Sequence, residues 1–306
     1  MITGATRLFA IIGDPIAHVR VPMVFNDYFA QHGIDAACWA GQITSGDLES
    51  GWRGLKAMAN LDGFIVTAPH KAPAKLLCDR LTGDSPHVGV VNTVRRERDG
   101  SFTGTLLDGH GFVAGLRAKG HEPSGKRIYI AGAGGAGTAL AFALAGSGAR
   151  AITIHNRTPD KAADLAARVK SVFPDCDVKQ GTRDASGHDI AVNATALGLE
   201  PQDGLSFDLD TVSPPTLVAE VIMKPDTTRL LTLAAARGCP VHQGRHMLDG
   251  QVQMMMDFFG LGTSQATRAA RSAALSGVRL WIVTARAPLP ASAKASAVPA
   301  PPAPAM

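Results

Sequence analysis

The sequence lacks the features that mark several classes of protein. Its 306 residues include only four cysteines, and these lie too far apart to form a CxxC metal pair. They are also too sparse for the disulfide framework of a small secreted domain. We therefore expect reduced, mostly buried thiols and no metal site. The four are Cys38, Cys78, Cys176 and Cys239.

Dense runs of charge and long apolar runs are missing as well. Lysine and arginine are scattered along the chain and leave a formal net charge of +4, which favours small anionic ligands over nucleic acid. No charged segment followed by an apolar one opens the chain, and no apolar stretch has the length of a membrane span. We therefore expect a cytoplasmic location, no membrane partner and no nucleic-acid partner.

The residues that are abundant indicate a globular α/β protein. The content of 45% hydrophobic and 18% charged residues suits a soluble fold with a real core. Short β-branched runs alternate with Ala/Leu-rich stretches, a pattern typical of βαβ units and parallel sheets. The predicted strands are 8–12, 37–43, 63–67, a hairpin of 88–96 with 101–107, and then 127–131, 151–155, 189–193, 217–221 and 240–243. The predicted helices follow Pro22, Gly46 and Pro69 and continue at 108–119, 161–172 and 247–259.

This series predicts two domains. Residues 1–115 would form an α/β substrate-binding domain, and residues 116–245 a Rossmann-type dinucleotide-binding domain. Residues 246–278 would return to pack on the first domain as a C-terminal helix. Residues 285–306 are Ala/Pro-rich, and we predict a disordered tail there.

A glycine turn follows the strand predicted at 127–131. In Gly132-Ala133-Gly134-Gly135-Ala136-Gly137 the first glycine allows a tight turn, the second lets backbone approach a pyrophosphate, and the third permits close packing of helix on strand. Its position between a strand and a helix predicts dinucleotide binding rather than a merely structural turn.

The end of the next strand, at 151–155, indicates which dinucleotide. An acidic residue there would bind the ribose hydroxyl of NAD, but this chain has Asn156-Arg157-Thr158, with Lys161 close by. A guanidinium, an ammonium and a hydroxyl suit the 2′-phosphate of NADP. We therefore predict NADP rather than NAD. A solvated basic loop is the alternative interpretation.

Several segments together resemble the shikimate dehydrogenase family. They occur in the family's order and cover nearly the whole chain except its tail. They are 13–18, 66–71, 91–94, 108–112, the glycine turn, 156–158, 192–195 and 247–251.

The resemblance implies an NADP-dependent dehydrogenase that oxidises a secondary alcohol of a shikimate-like cyclic hydroxy acid, or an analogue, within aromatic amino acid biosynthesis. Lys71 and Asp108 match the family's catalytic pair. A lysine can accept the hydroxyl proton or donate one to the carbonyl oxygen, and a neighbouring carboxylate orients it. Which member of the pair is the base stays open, and an ordinary surface ion pair is the alternative interpretation. The matched substrate-binding residues are Thr67, Asn92 and Gln251, and the further cofactor-binding residues are Thr195, Gly244 and Met247.

One segment departs from the family. The family's His-Ser-x-Ser-Pro reads His18-Val19-Arg20-Val21-Pro22 here, and its Tyr-x-Pro reads Met223-Lys224-Pro225. Three hydroxyls that would receive the substrate carboxylate are thus replaced by apolar groups, and a desolvated carboxylate there would lack hydrogen bonds. Shikimate becomes a doubtful substrate.

Two explanations of the missing hydroxyl groups remain open. Arg20 or Lys224 could bind the carboxylate, which would leave a true shikimate or quinate dehydrogenase with a rebuilt carboxylate site. Otherwise the substrate has a less polar or differently substituted end there. A non-catalytic dinucleotide-binding or sensing protein is the rival from another class, and it would not need Lys71 and Asp108. The oligomeric state is left open, with a homodimer as the candidate.

Overall fold

The computed structural model describes residues 2–17 and 19–262. Strands and helices alternate through these residues as the sequence pattern predicts. The strands are β1 Arg7–Gly13, β2 Ala36–Gln42, β3 Leu61–Val66, β4 Arg80–Leu81, β5 Thr93–Arg96, β6 Phe102–Thr105, β7 Arg127–Ala131, β8 Ala151–His155, β9 Asp177–Gln180, β10 Ile190–Asn193, β11 Leu217–Glu220 and β12 Val241–His242. The α-helices are α1 Val21–Gln31, α2 Leu48–Ala57, α3 Lys71–Leu77, α4 Ser85–Val88, α5 Asp108–Ala118, α6 Gly135–Gly146, α7 Pro159–Val172, α8 Arg229–Ala236 and α9 Arg245–Phe258.

The first sheet has the order β2-β1-β3-β5-β6-β4. The strands β2, β1 and β3 are parallel, whereas β5 runs antiparallel to both β3 and β6. The predicted hairpin is too long at its start, because residues 85–88 form α4 and Gly89 ends that helix with a φ of 84°. Only the half of that segment from Thr93 onward pairs as a strand.

The second sheet is parallel throughout, in the order β12-β11-β10-β7-β8-β9. This is the doubly wound order, which reverses direction beside its first strand, here β7. Ligands bind at that switch point, outside the carboxyl ends of the strands. The glycine turn that follows β7 lies there, so the fold itself supports the dinucleotide site. The predicted bounds of β7 and β8 are confirmed.

Helices α5 and α9 lie against each other at very short range. A Cβ added to Gly115 of α5 would overlap the backbone carbonyl of His246, and one added to Gly250 of α9 would overlap the carbonyl of Gly111. Small residues allow this approach, since any side chain would push the helices apart. The pairing brings the start of α5 and the middle of α9 together.

The end of α9 belongs to the core of the first sheet. Met255, Met256 and Phe259 are buried in one apolar cluster with Phe9 and Phe25. The predicted return of the C-terminal helix is thus seen up to residue 262, while the domain boundaries themselves stay a prediction. Residues 263–278 and the predicted tail at 285–306 lie outside the described residues. No helix in the described part of the chain is long and apolar enough to cross a membrane.

Candidate active site

Lys71 and Asp108 form an ion pair at the meeting point of α3 and α5. Lys71 is the first residue of α3 and Asp108 the first of α5, so both side chains begin at helix N-termini. The Lys71 Nζ lies 2.6 Å from Asp108 Oδ2. The lysine side chain is 34% exposed and the aspartate 16%, so the pair can be reached by a ligand and yet is shielded from bulk water. That setting differs from an ordinary surface ion pair.

Two amide side chains complete the surroundings of Asp108. Asn92 Nδ2 donates to Asp108 Oδ1 at 2.8 Å, and Gln251 Nε2 donates to the same oxygen at 2.9 Å. Asn92 is itself held in place, because its Oδ1 accepts from the Leu107 backbone N–H. Gln251 comes from α9, 143 residues further along the chain than Asp108. The structure thus brings together four of the residues that the sequence predicts for the site.

Opposing influences act on the charge of Asp108. Burial by itself favours the neutral acid, but the positive charge of Lys71 and the hydrogen bonds from Lys71, Gln251 and Asn92 outweigh it. The pKa of Asp108 therefore lies below its ordinary value. At neutral pH this carboxylate is ionised and acts as an acceptor only.

Thr67 and Arg20 are not among the residues that hydrogen-bond to the Lys71–Asp108 pair. Thr67 directly follows β3, on the loop that leads to Lys71, and its methyl group lies against Gly13. Its hydroxyl has no hydrogen-bond partner among the described residues. Arg20 caps the N-terminus of α1 and is exposed, and it makes no ion pair with any described residue. It forms no hydrogen bond or ion pair with Lys71 or Asp108.

The two valines beside Arg20 belong to the apolar core. Val21 is 8% exposed and lies in the cluster of Phe25 and Met255, against which Val19 also packs. The third residue that replaces an expected hydroxyl, Met223, is 43% exposed. None of these three side chains can donate a hydrogen bond.

The glycine turn has the shape that a dinucleotide requires. Gly132 has a φ of 116°, and a Cβ there would lie 2.7 Å from the carbonyl oxygen of Ala194. A Cβ on Gly137 would overlap the Gly132 carbonyl, so α6 packs tightly against the turn. Around Gly134 and Gly135, by contrast, an added Cβ would meet open space. The N-terminus of α6 therefore faces room for an anion, which suits a pyrophosphate.

The predicted phosphate-binding loop lies beside this turn. Asn156 Oδ1 accepts from the Ala133 backbone N–H at 3.1 Å, and Asn156 Nδ2 donates to the Thr158 carbonyl at 3.0 Å. Arg157, Thr158 and Lys161 are exposed, and neither base forms an ion pair with a described residue. Two cations without an acidic partner among the described residues thus lie on the loop and helix that follow β8.

Three further predicted cofactor residues lie beside the glycine turn or at the start of α9. Thr195 lies against Gly132, with its Cγ2 3.1 Å from where a Cβ would be. Gly244 precedes α9 and is packed against the backbone of β11's end at Val221 and Ile222. Met247 packs against the core of the second sheet, and its carbonyl lies close to Gly111 of α5. Met247 therefore lies on α9 about one turn before Gln251, and Gly244 immediately precedes that helix.

Sequence reasoning missed the buried carboxyl group of Glu220. It ends β11, is fully buried, and accepts hydrogen bonds from Asn193 Nδ2, Thr228 Oγ1 and the Val221 and Ile222 backbone N–H groups. Burial raises the pKa of Glu220 to about 7, although these hydrogen bonds oppose the shift. The sequence feature that could have revealed it is an acidic residue at the end of an apolar strand, because ligand sites form at the carboxyl ends of parallel strands.

Comparison with sequence families finds two matches in chain order. Residues 11–94 match the shikimate dehydrogenase substrate binding domain, and residues 116–198 match the shikimate / quinate 5-dehydrogenase family. A shikimate dehydrogenase (NADP(+)) from Rubrobacter xylanophilus is 38% identical over 81% of this chain and 88% of its own length. An enzyme of the same name from Listeria monocytogenes is 34% identical, with the same coverage.

Comparison with solved structures gives matches consistent with those sequence matches. Shikimate 5-dehydrogenase from Listeria monocytogenes, crystallised with shikimate and NAD, has a TM-score of 0.78 and 33% identity, and the match covers 86% of this chain and 93% of that one. A 5-ketofructose reductase from a Gluconobacter strain also has a TM-score of 0.78, with 30% identity and coverage of 88% and 98%. The two-sheet architecture is therefore that of these enzymes.

Proposed function

The chain belongs to the shikimate dehydrogenase family, and from this premise we propose that the ion pair of Lys71 and Asp108 is its catalytic centre. It is an NADP-dependent oxidoreductase that acts on a CH–OH group. It converts a secondary alcohol of a shikimate-like cyclic hydroxy acid, or of an analogue, to the ketone. One similar structure is a 5-ketofructose reductase, whose named substrate is an uncharged sugar ketone. The range of analogues therefore extends beyond acids.

The residues of the glycine turn and of the loop after β8 suit NADP, which when bound would supply the acceptor or donor of hydride. Open space beyond Gly134 and Gly135 leaves the α6 N-terminus free for the pyrophosphate. Arg157 and Lys161 would hold the 2′-phosphate, with the Thr158 hydroxyl as a further donor. Thr195, Gly244 and Met247 would line the path toward the reacting carbon.

Lys71 handles the proton in this proposal. In ketone reduction its ammonium donates a proton to the carbonyl oxygen as hydride reaches the carbon, and in oxidation the neutral amine takes the hydroxyl proton back. The oxidation therefore releases one ketone, one NADPH and one proton. Asp108 stays ionised and holds Lys71 in place through Oδ2. Because Asn92 and Gln251 occupy Oδ1, the carboxylate cannot rotate away from the lysine.

The single observation that carries this proposal is the Asp108 carboxylate held by one ammonium and two amides. Lys71→Ala should lower kcat by about a hundredfold to ten-thousandfold, the range that general acid–base groups contribute. Asp108→Asn should also lower kcat. The NH₂ group of the new side chain would lie against the N–H donors that now bind the carboxylate, and it cannot accept hydrogen bonds from them. Steady-state NADPH formation measures turnover over shikimate, quinate and other cyclic alcohols, and fluorescence titration measures NADPH affinity, which should be unchanged.

Lys75→Ala is the matched control, since Lys75 lies one turn further along α3 and forms no ion pair with a described residue. It should turn over like the unaltered protein. Full activity of Lys71→Ala would refute the proposed role. If NADPH binds but no alcohol or ketone in the panel reacts, the result would support the rival interpretation as a sensing protein.

We also propose that the enzyme works in the cytoplasm as a homodimer. The described cysteines are all free thiols, and Cys38, Cys176 and Cys239 are buried, which suits a reducing compartment. The edge strand β2 carries Trp39, whose side chain is 38% exposed. Light scattering coupled to size exclusion measures the mass, and a monomer at micromolar concentration would rule out the dimer.

A further inference from the structure

We propose that the substrate carries no carboxylate at the position where the family receives one, and is instead an uncharged polyhydroxy ring or ketose. This inference rests on the proposed function, because it names the substrate of the same site. It is carried by the packing of Val19 and Val21, by the balance of charge around Lys71 and by the hydrogen-bonding groups that are free.

An apolar wall adjoins the polar cluster. Val19 packs against the same apolar cluster as Leu107 and Val252. Leu107 directly precedes Asp108 in the chain, and Val252 directly follows Gln251. Val19 and Val21 therefore belong to the same apolar surface as the chain neighbours of Asp108 and Gln251. A charged group placed against this surface would lose its water and gain no donor.

The charges of the site already cancel. Lys71 is neutralised by Asp108 at 2.6 Å, so it offers no spare positive charge to a second carboxylate. Arg20 lies between Val19 and Val21 in the sequence. Both valines pack in the apolar core, whereas Arg20 is exposed. Lys224 is also exposed and, like Arg20, pairs with no described acid. Neither cation forms an ion pair or a hydrogen bond with the Lys71–Asp108 pair or with Gln251.

The polar groups that remain free are suited to hydroxyls. The Thr67 hydroxyl has no partner among the described residues, and the Gln251 Oε1 accepts from none of them. A hydroxyl can both donate and accept, so these uncharged groups can bind substrate OH groups. Sites built this way distinguish ligands by their hydroxyls, because an unmatched polar group is costly to bury.

A matched pair of substrates tests the inference. Shikimate and its hydroxymethyl analogue differ only in the replacement of the carboxylate by CH₂OH, and 5-keto-fructose with NADPH provides a neutral ketone. We expect kcat/KM for the better neutral compound to exceed that for shikimate by at least fiftyfold. Steady-state absorbance of NADPH measures all three reactions.

Restoring a hydroxyl should shift this preference. Met223→Tyr should raise kcat/KM for shikimate at least tenfold, mainly through KM. Met223 is 43% exposed, so this variant should fold even if the buried Val21→Ser does not. Val19→Ser, at a partly buried position, provides a second measurement with the same expected direction. Met23→Tyr is the control, because Met23 is 59% exposed and lies on α1.

Two outcomes would overturn the inference, and they differ. If shikimate is turned over as well as or better than the neutral compounds, the carboxylate has a receptor after all while the proposed function stands. Loss of that activity in Arg20→Ala would then identify the receptor. If NADPH binds but neither the acid nor any neutral compound reacts, the proposed function fails and the inference fails with it.

Discussion

Arg157 is the residue on which the preference between the two dinucleotides depends most. It is exposed beside the glycine turn and is not engaged by any acid in the described chain. A hydrogen bond to a charged group contributes about 1.5–3 kcal/mol. We therefore expect Arg157→Ala to weaken NADPH binding about tenfold to a hundredfold, while NADH affinity changes by less than about twofold.

Isothermal titration with both dinucleotides checks this expectation. Lys179→Ala is the matched control, because Lys179 is an exposed base on the neighbouring strand β9 with no ion pair to a described residue. An equal loss of NADPH and NADH affinity in Arg157→Ala would show that the guanidinium does not bind the 2′-phosphate.

Individual residues also show what a sequence can reveal about a site. Lys71 and Asp108 could be named because the motifs that contain them, 66–71 and 108–112, resemble those of the shikimate dehydrogenase family, whose catalytic pair they match. The convergence of Asn92 and Gln251 on one oxygen of Asp108 could not be derived from local patterns, since it depends on how α5 and α9 pack. Glu220 was missed for a related reason. Its burial depends on donors from Asn193 and Thr228, which only the folded chain brings to it.

At the level of elements, the α5–α9 contact holds the active site together. Asp108 begins α5 and Gln251 lies in α9, so the hydrogen bond between their side chains depends on the distance between the two helices. A Cβ at Gly115 would collide with the backbone of His246. Gly115→Ala should therefore push α9 outward, destabilise the protein by about 2 kcal/mol and lower kcat about tenfold.

Thermal unfolding and steady-state kinetics of this variant test the coupling. Gly54→Ala is the control, because Gly54 is also in a helix but its Cβ would meet nothing within 4 Å. It should be neutral or stabilise slightly, by up to about 1 kcal/mol. If Gly115→Ala unfolds and reacts like Gly54→Ala, the close helix contact has no role in catalysis.

The elements that the sequence predicted best are those with unambiguous periodicity. The strands β7 and β8 are short β-branched runs bounded by turns, and their limits agree with the structure. Strand β9 and helix α8 were not predicted. Only Val178 of β9 is buried, so the strand carries little apolar signal and forms because its backbone pairs with β8. Such an edge strand depends on its neighbour rather than on its own residues.

At the scale of the whole molecule, the core of the second sheet includes residues from the segments that follow the first-sheet strands. Val88, Leu106 and Phe112 lie in the same apolar cluster as the strands and helices of the second sheet. The two halves therefore share buried surface, and we expect one cooperative unfolding transition in the described part of the chain. Groups buried near this core that gain or lose a proton then affect the stability of the entire fold.

Two buried groups make that stability depend on pH in opposite directions. The pKa of Glu220 is raised by burial from 4.5 to about 7, so between these values the folded state holds a proton that the unfolded state has lost. Stability must fall across that range as pH rises. The pKa of His242 is lowered to about 4, first by burial and then by the charges of His246, His121 and Lys119. Here the unfolded state binds the extra proton, so stability rises from pH 4 to about 6.5.

These opposing slopes predict a shallow stability profile between about pH 4.5 and 6.5 in the unaltered protein, and a steeper one in each variant. Glu220→Gln removes the falling contribution, so its free energy of unfolding should rise with pH through this range. His242→Asn removes the rising one, so its free energy should fall toward pH 7. Urea unfolding at half-unit pH steps measures both, with Glu49→Gln, an exposed residue of α2, as the control. A Glu220→Gln profile parallel to that of the unaltered protein would mean that Glu220 titrates normally, and the carboxyl end of β11 would then be accessible to water.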